Sequence, residues 1–155
     1  MRSVSVAGLA WAGMLLAATP GWGQERPIKR ADLPPAVDSA VAVESRGATI
    51  RGFAEEREHG RKYYEAELLV RGHHKDVLLD STGTVVEIEK EVPLDSLPAA
   101  AKAALTSLAR PGRIAKVETL TKRGRLVAYE AQVVSAGKRR EIQVGPDGKP
   151  LAHPE

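Results

Sequence analysis

The sequence predicts an α+β protein built as two tandem units, each a short helix packed on a four-stranded antiparallel meander sheet. Three observations carry that prediction. Short phrases recur in the same order at nearly one spacing, each recurrence opens with an apolar stripe at helical period, and each continues in β-compatible runs cut by glycine turns. Leu33-Pro34 returns as Leu97-Pro98 and Gly60 as Gly124, both at an offset of 64. Tyr64-Glu65-Ala66 returns as Tyr129-Glu130-Ala131, and Gly83 as Gly148, both at 65. The expected units are residues 32–90 and 96–151, joined through Glu91 to Asp95.

Ahead of the first unit, Met1-Arg2-Ser3 is a short basic start, and Val4 to Ala18 runs for 15 residues without a charge. That run falls short of the roughly 20 apolar residues a spanning helix needs. Pro20 and the small residues of Gly21-Trp22-Gly23 follow, so residues 1–23 read as a signal peptide cleaved after Gly23. The expected mature chain is periplasmic or secreted and keeps no stable membrane anchor.

In the first unit Asp32 is the expected helix cap, Leu33, Val37, Ala40 and Val41 form the stripe, and Gly47 ends the helix. Strands are expected over Ala48 to Glu58, Arg61 to Arg71, His73 to Asp80 and Thr84 to Glu89, with turns at Gly60, Gly72 and Asp80–Gly83. In the second unit Ser96 is the expected cap, with Pro98 in the first turn, where its missing N–H costs nothing. Leu97, Ala101, Ala104, Leu105 and Leu108 make the stripe, and Pro111-Gly112 stops it. Strands follow over Arg113 to Lys122, Arg125 to Val134, Lys138 to Val144 and a short end near Lys149. A lone unit of this size buries little surface, so the two are expected to share a core or extend one sheet.

Strand parity assigns faces. Tyr64, Ala66, Leu68 and Val70, with Tyr129, Ala131 and Val133, should lie under the helices. The opposite face should carry Tyr63, Glu65, Glu67 and Leu69, then Leu126, Ala128, Glu130 and Gln132. A mixed, partly apolar face left open by the helices is the candidate binding surface.

The phrases LPPAVDSAV and LPAAAKAAL opening a helix, then YYEAEL and AYEAQV, then DSTG and PDGK, resemble the PepSY-like family. More narrowly they resemble its tandem, exported, β-lactamase-inhibitor-like forms. The resemblance spans Asp32 to Leu151 and implies a helix on a four-stranded sheet in each unit. It also implies a non-catalytic role in the bacterial envelope, in which the open sheet face engages a protein such as a secreted hydrolase. It brings no catalytic residues.

Composition agrees with a binding role. The chain has 155 residues, 43% hydrophobic and 28% charged, which is the make-up of a globular protein. It has no cysteine, which removes disulfides, thiolate metal sites and cysteine nucleophiles. Ser81 and Ser135 lie in turns outside any nucleophile elbow, and no glycine-rich phosphate loop is present, so neither an enzyme nor a cofactor is expected. Glu55-Glu56 and Glu87/Glu89 alternate with basic residues and read as solvated strand faces. Glu58, His59 and His73 offer a metal site or solvated turn residues; strand parity and opposite hairpin ends favour the latter, so no metal is expected. The net charge of +3 is too even for a nucleic-acid binder. It hides an asymmetry: residues 24–95 hold 11 basic and 15 acidic side chains, and residues 96–155 hold 11 and 5. Lys122, Arg123 and Arg125, with Lys138, Arg139 and Arg140 in the next turn, form the densest basic cluster. It suggests an alternative role, an envelope sensing accessory that binds a small ligand, a metal or an anionic lipid.

Overall fold

The computed structural model describes residues 25–58 and 60–155. The expected signal peptide lies outside the described residues, as does His59. Eight strands run in chain order: β1 Arg26–Pro27, β2 Thr49–Glu58, β3 Arg61–Val70, β4 His73–Asp80, β5 Val85–Glu91, β6 Arg113–Lys122, β7 Arg125–Ser135 and β8 Lys138–Val144. The helices α1, Pro35–Glu44, and α2, Ala99–Ala109, precede β2 and β6.

The strands make one antiparallel sheet in the order β1-β2-β3-β4-β5-β6-β7-β8. Of the two expected arrangements, a shared core or one extended sheet, the chain takes the second, and the four strands expected in each unit are corrected: β1 adds a strand ahead of the first unit, and the short end near Lys149 makes only an isolated bridge, Val144 to Pro150. The join is the β5–β6 ladder, in which Glu87 faces Lys122 and Glu91 faces Glu118. Closing that ladder removes two inner edges that separate sheets would leave unpaired.

The cores nevertheless remain two. Val37 and Val41 of α1 bury against Tyr64, Ala66, Leu68, Val77 and Leu79. Ala101 and Leu105 of α2 bury against Val117, Tyr129, Ala131 and Val144. Each fully buried Val or Leu contributes about 1.5–3 kcal/mol, which two Ala-rich helices of ten and eleven residues need because they are too short to hold alone. The expected caps are displaced. Asp32 and Ser96 sit in single 3-10 turns, Arg30–Asp32 and Leu94–Ser96, and the N-cap positions belong to Pro34 and Pro98.

The internal repeat extends to fine detail. β2 is irregular between Ile50 and Gly52, and β6 between Ile114 and Lys116, the same positions at an offset of 64. Gly83 and Gly148 both have positive φ, and both press on the first turn of their unit's helix, beside Ala36 and Ala100.

Candidate binding face

Both helices pack on the same side of the sheet, so the opposite side chains form one continuous open face. Ladder partners share a face, which places Gly52, Ala54 and Glu56 of β2 beside Glu67, Glu65 and Tyr63 of β3. Next come Asp76 and Leu78 of β4, opposite Glu67 and Glu65, and then Glu89 and Glu87 of β5. Beyond them lie Glu118 and Leu120 of β6, Glu130 and Ala128 of β7, and Gln143 and Glu141 of β8.

Tyr63, Glu65, Glu67, Leu69, Ala128, Glu130 and Gln132 therefore lie where strand parity places them. Leu126 does not. The ladder slips between Leu120 and Thr121, so Leu126 pairs with Thr121 and packs into the second core on the helix side. A bulge inserts one unpaired residue and reverses parity beyond it.

The face is also far more acidic than expected. Glu56, Asp76, Glu87, Glu89 and Glu118 join it, and Glu56, Glu87 and Glu89 are not the solvated surface that their neighbours in sequence suggest. The available signal was spacing: Glu65/Glu67 and Glu87/Glu89 recur at every second residue, which puts each pair on one face. Asp76 stands directly opposite Glu89, and Glu118 directly opposite Glu130. Like charges facing across a ladder destabilise a sheet.

The electrostatics follow from this crowding. Burial, reinforced by Glu130 and Glu118, pushes the Glu89 carboxyl up to about 9. Burial and nearby Glu118 raise Asp76 to about 6, although Lys116 pulls it back. Burial raises Glu130 to about 7, against the hydrogen bond it accepts from Gln143 Nε2 at 2.6 Å. Burial and then Glu25 push Glu56 upward, against a hydrogen bond with Glu65, and burial followed by Asp76, Glu56 and Glu25 pushes Glu65 upward. Oxygens of Glu25, Glu56 and Glu65 lie within 4.8 Å of one another, as do those of Asp76, Glu89 and Glu118. Either trio has the hard oxygen donors that suit a calcium-type cation, but Lys116 already brings its ammonium to the second, 2.7 Å from Glu118 Oε1.

The basic cluster separates. Lys122, Arg123 and Arg125 lie at the β6–β7 turn, while Lys138, Arg139 and Arg140 lie at the β7–β8 turn, at opposite ends of β7. Two of the six are engaged internally. Lys122 approaches Glu87 at 3.7 Å and Glu155 at 3.8 Å, and Arg140 donates to the Leu108 and Ala109 carbonyls at the end of α2. His73 stands 3.6 Å from Glu91, whose other oxygen accepts the His74 N–H, which suits a surface turn.

Two helices on one side of an eight-stranded antiparallel sheet define the class of fold, and solved structures share it. A BLIP-like protein from Bacteroides fragilis is 22% identical over 77% of this chain and 83% of that one, with a TM-score of 0.57. A candidate periplasmic protein from Bacteroides eggerthii is 21% identical over 77% and 86%, with a TM-score of 0.62. A DUF2874 family protein from Bacteroides ovatus is 21% identical over 77% and 84%, with a TM-score of 0.59. No family model matches the sequence, and no curated protein matches it either. Among the described residues no helix is long and apolar enough to cross a membrane.

Proposed function

We propose that this chain is a non-catalytic, exported, PepSY-like binding module of the bacterial envelope, which engages a secreted or periplasmic protein, such as a hydrolase, through its open sheet face. One observation carries the reading: the open face keeps facing carboxylates that weaken the sheet, and folds tolerate such costs mainly where a site needs them. The BLIP-like and candidate periplasmic descriptions of the Bacteroides proteins agree with an exported binder. The separation of the basic residues into two clusters weighs against an anionic lipid as ligand, because neither cluster adds to the other.

The reading is tested by immobilising the protein and passing native periplasmic extract over it, beside a Tyr63→Ala/Leu69→Ser variant of the open face and a Val43→Ser variant of the exposed side of α1. A protein retained by the wild type and by Val43→Ser, and lost from the open-face variant, is the expected result. Identical captures by all three would remove the open face from the proposal.

A further inference from the structure

The two units solve the charge on the open face differently. In the second, Lys116 stands beside Glu118 on β6 and opposite Gln132 on β7. The matching position in the first unit, 64 residues earlier, is Gly52, and its ladder partner is Glu67 rather than a glutamine. Both positions follow the same strand irregularity, so the correspondence is structural as well as numerical. Where the second unit supplies an ammonium group, the first has no side chain, and the Glu67 carboxylate leans into the space, 3.3 Å from where a Cβ would stand.

Glu67 lies across the ladder from that gap, with Glu65 and Asp76 next to Glu67 on the same face, and among the described residues none of the three makes an ion pair with a lysine or arginine. Leu78 and Tyr63 lie beside them and offer apolar contact to an aliphatic stem.

We propose that the first unit's open face docks a lysine- or arginine-bearing extended segment of the partner protein, one cationic side chain of which enters the gap over Gly52 as Lys116 does in the second unit. This rests on the open-face reading above and names the partner's chemistry. Charge complementarity is its basis: Glu65 and Glu67 have no lysine or arginine partner among the described residues, Asp76 feels Lys116 without pairing with it, and an incoming cation supplies the missing counter-charge. Burial first and Asp76 next keep a proton on Glu65, and an ammonium group placed beside it favours its release.

The test uses the protein with fluorescently labelled peptides alternating lysine with threonine, and a glutamate–threonine control. Saturable binding of the lysine peptide that weakens with added salt is expected. Gly52→Lys, which gives the first unit the second unit's own cation, should weaken it about tenfold, and Glu67→Gln/Asp76→Asn about as much. Asp38→Asn, on the exposed side of α1, should change it less than about twofold. Circular dichroism checks that Gly52→Lys folds; if it does not, the Glu67→Gln/Asp76→Asn pair decides. Unchanged affinity in the folded variants overturns the proposal. So does equal binding of the glutamate peptide, calcium binding without peptide binding, or a salt-sensitive dimer that Gly52→Lys abolishes. A partner that is captured through the open face but carries no basic segment would refute this inference and leave the open-face reading standing.

Discussion

Lys116 and Glu118 form an ion pair on the open face, with Nζ 2.7 Å from Oε1 and only 3% of the Glu118 side chain exposed. Residues two apart on a strand share a face, so the pair is local in sequence, yet its effect reaches across the sheet. Burial opposes the Lys116 charge, but Glu118, and after it Asp76 and Glu89, attract it and raise its pKa. Removing it strands a buried carboxylate. Lys116→Met should therefore destabilise the protein by about 3 kcal/mol at neutral pH, the lower end for a broken buried pair because the lysine is partly exposed. Lys116→Met/Glu118→Leu should recover most of that loss. Urea denaturation of the three proteins measures both, and a double variant no more stable than the single one would contradict the ion-pair account.

Gly83 and Gly148 carry a second prediction. A Cβ on Gly83 would stand 2.5 Å from the Ala36 carbonyl oxygen, and one on Gly148 would stand 2.6 Å from the Ala100 carbonyl carbon. These are backbone atoms of helix first turns, which cannot swing aside. Both glycines also have φ near +80°, which an L side chain rarely adopts. Gly83→Ala and Gly148→Ala should each cost about 2–3 kcal/mol. Gly124→Ala, at similar φ but in open space, should cost about 1 kcal/mol. Equal melting temperatures for the three variants would show that backbone conformation, not the helix contact, is what selects glycine.

That contact also explains what was legible in the sequence. The recurrence of Gly83 as Gly148, and of Tyr64 as Tyr129, records packing inside each unit: turn on helix, and ring under helix. Local packing of this kind repeats with the unit, so the helix-then-strands order and the buried stripe could be read. The β5–β6 ladder was legible only as one of two alternatives, one extended sheet or a shared core, because it joins one unit to the next and has no counterpart inside either. Leu126 departs from strand parity for a different reason, since a bulge is a property of two strands in register and leaves no mark on the bulged strand's own alternation. The acid face was half visible. Glu65, Glu67 and Glu130 follow from parity, but Asp76 and Glu118 become part of the cluster only once neighbouring strands bring them together.

Arg140 and Arg139 are neighbours in one basic cluster, yet the two should behave differently. The Arg140 guanidinium donates to the Leu108 carbonyl at 2.7 Å and to the Ala109 carbonyl at 3.1 Å, in the last turn of α2. Terminal carbonyls of a helix lack intrahelical partners, and a cation there also meets the negative end of the helix dipole. Arg140→Ala should cost about 1 kcal/mol, and Arg139→Ala less than about 0.5 kcal/mol. Hydrogen exchange at the α2 C-terminus is the sharper readout: protection should fall in Arg140→Ala and stay unchanged in Arg139→Ala.

The carboxyls of the open face set the direction of the pH dependence. A carboxyl whose folded pKa is raised holds its proton in the folded state at pH values where the unfolded chain has already lost it. Across that interval the folded state binds more protons, so stability falls as pH rises. Asp76 at about 6, Glu130 at about 7 and Glu89 at about 9 spread this loss from the ordinary carboxylate range to about pH 9, and the Glu56–Glu65 pair adds to it. Asp80 and Glu91 act the other way. Hydrogen bonds from Thr82 hold the first below its ordinary value, and the His74 N–H does the same for the second, so their contribution is lost only as the medium becomes strongly acidic. The melting temperature should therefore peak in mildly acidic solution, near pH 5, and decline steadily toward pH 9. Glu89→Gln should flatten that decline and stabilise the protein at pH 8, since a neutral amide removes the charge that burial penalises. A melting temperature that rises from pH 5 to pH 9, or a Glu89→Gln slope equal to the wild type's, would mean that these carboxyls ionise freely in the folded protein.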